Sequence, residues 1–211
     1  LQGTIWIFDH FANIVDGSAG STMPDIYAPI GFDVGLNTGF AWADAALAYP
    51  YVKWIGIPGF YNFHVFMTLW LNGVLLSLLF SHCRASLPVA LGLAGLCIHN
   101  DVIAEELLHG RPTQVHLWFH ALFVLAVLKL TTLRSEHALR WSILGGLTLA
   151  GACLTYWFGG ASLGMMVAII ALLASFSRPQ NWKTFSVPRL KSGLLLSAVA
   201  IGISLLCTWR L

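Results

Sequence analysis

Six apolar runs, each close to the length that crosses a bilayer, dominate the sequence from residue 60 onward. The hydrocarbon core is ~30 Å thick and a helix rises ~1.5 Å per residue, so a spanning helix needs about 20 predominantly apolar residues. Such runs lie at Phe60–Phe80 (span A), Leu87–His109 (span B), Val115–Leu133 (span C), Ala138–Phe158 (span D), Ser162–Phe176 (span E) and Gly193–Trp209 (span F). Span E is the shortest and suits a tilted or re-entrant segment. Pro88, Gly110 with Pro112, Gly159 with Gly160, and Pro179 with Pro188 separate the runs. Lipid offers backbone N–H and C=O groups no partner, so apolar runs of this length dictate helices. The expected fold is an all-α integral membrane protein, a bundle of about six transmembrane helices occupying residues 60–211.

Composition closes off the soluble alternative. Charged residues make up 9% of the chain and hydrophobic ones 57%, with a mean hydropathy of +0.76, whereas soluble domains carry about 25% charged residues. A formal net charge of +2 excludes nucleic acid as a partner. Nine Trp and thirteen Phe suit a lipid-facing surface with interfacial aromatics. Cys83, Cys97, Cys153 and Cys207 form no CxxC pair; Cys97, Cys153 and Cys207 lie in apolar runs and read as small core or lipid-facing residues.

Residues 1–59 have a different character. Asp9, Asp16, Asp25, Asp33 and Asp44 alternate with Pro24, Pro29, Pro50, Pro58 and many glycines. The pattern predicts a loop-rich segment at the outer membrane face, following a helix end over residues 1–8. Trp6, Phe11, Trp42, Tyr49, Tyr51 and Trp54 are the residue types that settle at the headgroup level.

Lysine and arginine set the expected orientation. Eight of them (Arg84, Lys129, Arg134, Arg140, Arg178, Lys183, Arg189 and Lys191) fall in or beside loops 81–86, 131–139 and 177–192, against three (Lys53, Arg111 and Arg210) on the other side. The positive-inside rule assigns the richer side to the cytoplasm. The N-terminal segment and C-terminus then face outward, across an inner membrane if the source is bacterial.

This topology gathers the unusual polar residues at one face. Asn62 and His64 open span A, His99, Asp101, Glu105, Glu106 and His109 end span B, and His116 and His120 open span C. On a helix Asp101, Glu105 and His109 drift by only ~40° per step and form one stripe, and His116 and His120 share a face. A short link makes spans B and C antiparallel, so the two sets can meet. Each ionisable side chain at mid-membrane costs about 2.5–3.5 kcal/mol, so several together call for partners, water or a metal. The plainer alternative leaves Glu106, His109 and His116 hydrated among the headgroups.

Three chemistries follow. The first is a transition-metal site (zinc, iron, copper or manganese) with Glu105, His109, His116 and His120 as ligands, joined by His64, His99 or Asn62. Asp101 or Glu106 would carry protons, making a metal-dependent enzyme acting on a lipid or apolar small molecule drawn from the bilayer. The second is a b-type haem held by His64 with His99 or His120, against the small residues Gly92, Ala94 and Gly95. The third is a proton or ion relay, or a non-catalytic subunit with a membrane-protein or homo-oligomeric partner. Ser162 lies in the small-residue run Gly160–Gly164 with no histidine after it, so that run is read as opening span E for close packing.

Overall fold

The computed structural model describes residues 2–20, 22–23, 32–33, 42–132, 137–156 and 159–165. In chain order these form α1 (Gln2–Val15), a two-residue antiparallel pair β1 (Thr22–Met23) and β2 (Phe32–Asp33), α2 (Trp42–His82), α3 (Leu87–Ile98), α4 (Asp101–Leu108), a 3₁₀ turn (Pro112–Val115), α5 (Leu117–Thr132) and α6 (Ala138–Thr155). A further helix, α7, is described over residues 159–165. Among the described residues three helical stretches are long and apolar enough to cross a membrane, or four if the bent pair α3–α4 counts as one. These stretches correspond to spans A to D. Span F and all of span E beyond residue 165 lie outside the described residues.

The largest departure from expectation lies in α2. Its 39-residue apolar stretch, Asp44–His82, would extend ~58 Å if straight, nearly twice the hydrocarbon thickness. The helix is broken instead. Gly56 has φ 72° and ψ 166°, a region open essentially to glycine alone, and Pro50 and Pro58 flank it. The chain reverses there and the two arms pack against each other. Tyr51 from the first arm stacks on Phe60 from the second at 6.1 Å and lies 5.9 Å from Phe63. The boundary expected at residues 59/60 therefore falls inside one bent element.

The N-terminal segment was expected to be loop-rich, yet its described part is mostly helix. The apolar face of α1 docks on α2, with Phe8, Ala45, Ala48 and Phe60 forming a buried cluster. The alanines let the helices approach closely. Lys53 ties the far end of α1 down through a 2.7 Å ion pair with Asp16, and the Tyr49 hydroxyl donates to the same carboxylate at 2.8 Å. These two donors hold the Asp16 carboxyl below its usual pKa.

Span B is likewise two helices. Asn100 ends α3, donating to Cys97 O at 2.6 Å, and caps α4 by accepting from Ile103 N at 3.0 Å. A short amide that bonds its own backbone competes with a continuous helix, and the axis bends by 45°.

The bundle proper is α2, α3, α5 and α6. Leu76, Ala94 and Ala121 join α2, α3 and α5. Phe119, Phe123, Ala152 and Leu163 join α5, α6 and α7. Small residues set these approaches: a Cβ at Gly151 would collide with the Phe119 ring, and one at Gly160 with Cys153. On the outer side of the second arm of α2, Phe63, Phe66, Trp70, Val74 and Leu78 are exposed at helical spacing. So continuous an apolar stripe is what a lipid-facing surface presents.

Candidate metal centre

Three buried side chains converge where α2 reverses beside the start of α5. Asp44 comes from the first turn of α2, His64 from its second arm and His116 from the residue between the 3₁₀ turn and α5. Asp44 Oδ2 lies 3.1 Å from His116 Nε2 and 3.7 Å from His64 Nε2. Along a straight helix Asp44 and His64 would be ~30 Å apart, so the break at Gly56 creates the site.

Aromatic rings and one amide hold the histidines. His64 stacks on Phe60 at 5.6 Å and meets the edge of Phe8 at 5.8 Å, so α1 closes one side. The position of His116 depends on Asn72, a fully buried amide on α2. Its Nδ2 donates to Val115 O at 2.7 Å and its Oδ1 accepts from Trp118 N at 2.8 Å. Asn72 thus clamps the backbone on both sides of His116. The amide supplies from another helix the cap that the start of α5 would otherwise lack.

The arrangement fits a metal ion. Asp44, His64 and His116 each offer one ligand atom, and these atoms all lie within 4.8 Å of one another. Donors bound at ~2.0–2.2 Å in tetrahedral geometry lie about 3.3–3.6 Å apart, so spacings of 3.1 and 3.7 Å need little adjustment. His64 Nε2 is buried with no hydrogen-bond partner, and buried polar atoms are seldom left so. A cation between it and Asp44 would satisfy both. Two imidazoles and one carboxylate leave coordination positions open, as catalytic rather than structural sites do.

One contact opposes loading. The Trp118 indole Nε1–H donates to His116 Nδ1 at 2.7 Å. Indole can only donate, so Nδ1 must be the unprotonated nitrogen and Nε2–H points at Asp44. A metal on Nε2 requires the opposite tautomer, with Nδ1–H facing Trp118 N–H. A hydrogen bond of ~1–1.5 kcal/mol held against binding corresponds to about tenfold in affinity. Trp118→Phe is therefore expected to bind a transition metal about tenfold more tightly than the unaltered protein, measured by competition with a chelating indicator in detergent. Equal or weaker binding would mean the tautomer is not the obstacle.

The residues expected from the sequence are distributed as follows. His116 and His64 are in the trio. His120 is half-buried on α5, its Nδ1 3.3 Å from His116 O, and it faces a neighbouring pocket. Glu105 and His109 share a stripe on α4 as the spacing implies, but the stripe is exposed, and the His109 ring bonds Glu105 O at 2.8 Å. Glu106 pairs with Arg111 at 3.4 Å. Asp101 and Asn62 are exposed, and the exposed His99 ring bonds Gly95 O at 3.0 Å. Of the small residues considered for a haem cleft, Ala94 is buried between helices, while a side chain at Gly92 or Gly95 would meet open space.

Among the described residues Asp44, His64 and His116 are the one group of three or more His, Cys, Asp or Glu whose ligand atoms converge. Asp44 and Asn72 were not anticipated. Asn72 had a visible signal, a carboxamide in the middle of an apolar run. For Asp44 the hints were its place among the N-terminal aspartates expected at the same membrane face and Gly56-Ile57-Pro58-Gly59, a turn sequence able to send the chain back.

No family of known proteins, no curated protein and no solved structure matches this chain.

Proposed function

We propose that the protein is a metal-dependent membrane enzyme acting on a lipid or another apolar small molecule, with Asp44, His64 and His116 as the metal ligands. The observation that carries this reading is the orphaned, buried Nε2 of His64 beside a buried carboxylate and a second imidazole. A metal bound there would supply Lewis acidity at an open coordination position, which suits hydrolytic chemistry with zinc and oxidative chemistry with iron or copper. The chain's own contribution is to hold three ligands in a dry site, with Asn72 fixing His116 and Phe8 and Phe60 confining His64. Glu106, half-buried and paired with Arg111 at the same end of the bundle, is the carboxylate we assign to proton transfer. Substrate would arrive from the bilayer past the exposed apolar faces of α2 and α3. The orientation we favour places this end of the bundle outside the cytoplasm, following the lysine and arginine distribution.

Elemental analysis of detergent-purified protein tests the reading. We expect about one equivalent of a transition metal, lost in Asp44→Asn and His64→Ala and retained in His99→Ala, whose ring is exposed. Size-exclusion profiles of the variants separate loss of metal from loss of fold. A well-folded protein that takes up no zinc, iron, copper or manganese on reconstitution would end the proposal.

A second reading has its own observation in favour. Trp118, His116 and Asp44 form a hydrogen-bonded chain that satisfies His116 without any ion. Such a chain suits a proton relay or a structural polar knot. A gain in metal affinity in Trp118→Phe favours the metal site, and absence of uptake in both proteins favours the relay.

A further inference from the structure

A cleft of about 250 Å³ opens beside the trio, between the 3₁₀ turn, α5, α6 and the start of α7, and His116 borders it. Leu117, Phe119 and Ala152 supply its apolar wall, and His120 and Ser162 face each other across it. Ser162 Oγ lies 3.5 Å from His120 Nε2. The chain has no histidine after Ser162; the fold brings one from α5, 42 residues earlier.

We infer that Ser162 and His120 form a nucleophile–base pair that cleaves a fatty-acyl ester, in a cleft next to the metal-ligand trio. The roles follow from the hydrogen bonds. His120 Nδ1 lies 3.3 Å from the His116 carbonyl. A ring proton on Nδ1 would be held by that carbonyl and leave Nε2, the nitrogen toward Ser162, as the base; the Gly159 carbonyl is a second acceptor beside the ring. A base oriented by a third group, with a hydroxyl within reach, is the arrangement that activates serine. In the resting structure the Ser162 hydroxyl donates to Gly159 O at 2.8 Å. A hydroxyl proton rotates freely, and 3.5 Å is within the looseness of sites without substrate. Ser162 itself is exposed, so the nucleophile is accessible. The glycines before it serve this geometry. With no Cβ at Gly160 to strike Cys153, α7 crosses close enough to α6 for Ser162 to reach α5.

In the reaction, Ser162 Oγ bonds to the acyl carbonyl carbon while its proton moves to His120 Nε2. The bond from that carbon to the alcohol oxygen breaks, and the alcohol leaves with the proton from His120. Water then attacks the acyl-serine, passing one proton to His120. The fatty acid departs as Ser162 Oγ recovers that proton. The cleft is smaller than the ~300–1,000 Å³ of pockets that engulf a ligand. It would admit the ester group and the first carbons of the chain, the remainder lying in the bilayer against α5 and α6.

The test uses full-length protein in detergent and an alkyl fluorophosphonate, with intact-mass and peptide analysis. The expected result is one phosphonyl adduct on Ser162, absent in Ser162→Ala, an exposed position where the change leaves folding intact. His120→Gln should form the adduct at least ~100-fold more slowly, the usual worth of a positioned base. Hydrolysis of p-nitrophenyl acyl esters should fall in parallel, with longer chains preferred over acetate. No adduct under conditions that saturate a soluble serine hydrolase would overturn the proposal, as would an adduct that persists in Ser162→Ala.

Discussion

Gly56→Val should empty the proposed metal site without touching a ligand. At φ 72° and ψ 166° a β-branched residue has no comfortable conformation, and holding one there costs of the order of 1–3 kcal/mol or more. The simplest relief is for the backbone to return toward helical angles, which swings Asp44 away from His64 and His116. A few ångströms suffice, because a ligand bond of ~2 Å tolerates errors of only a few tenths. Metal content should fall to background, with affinity lower by at least ~100-fold. Gly59→Ala is the matched control three residues on, where an added Cβ would meet only the Ile55 side chain at an ordinary 3.5 Å. That variant should load normally. Equal metal content in Gly56→Val would show that the reversal is not what assembles the trio.

Asn72→Leu is the second large effect, and it falls first on stability. The leucine fills the space but leaves Val115 O and Trp118 N without the partners they now have at 2.7 and 2.8 Å. A backbone group in such a buried or part-buried place that loses its partner costs about 1–3 kcal/mol. Two of them make ~2–6 kcal/mol, a large share of the total stability of a typical domain. Thermal unfolding in detergent should therefore shift well below that of the unaltered protein, with metal affinity reduced as well. Asn62→Leu, an exposed position on the same arm, should remain within about 0.5 kcal/mol. Similar behaviour of the two variants would remove Asn72 from the account of how His116 is held.

Apolar length made the helices legible. Spans A, C and D coincide with the second arm of α2, with the 3₁₀ turn plus α5, and with α6 to within a few residues. Span B was right in extent and wrong in continuity. Hydropathy registers that His99 and Asn100 are polar, but not that Asn100 spends its amide on local backbone and breaks the helix. The site was legible by halves. His64 and His116 stood out as titratable groups in apolar runs, and the geometry joins them. Periodicity also placed Glu105 and His109 on one stripe correctly. It could not say that the stripe faces away from the protein, because spacing fixes which residues share a face and not what the face meets. Asp44 was hidden for another reason. Its proximity to His64 depends on a reversal 12 residues later, and one glycine at an unusual angle leaves little trace in a linear pattern.

The clamp made by Asn72 also constrains how the protein can be built. Its backbone partner Val115 is 43 residues further along the chain. At synthesis rates of about 5–20 residues per second, the second arm of α2 leaves the ribosome ~2–9 s before the partner exists. Throughout that interval the Asn72 carboxamide lacks the Val115 carbonyl and Trp118 amide that it bonds in the fold. The amide is therefore satisfied in this way only once α5 has arrived, and the two helices are expected to pair at that stage.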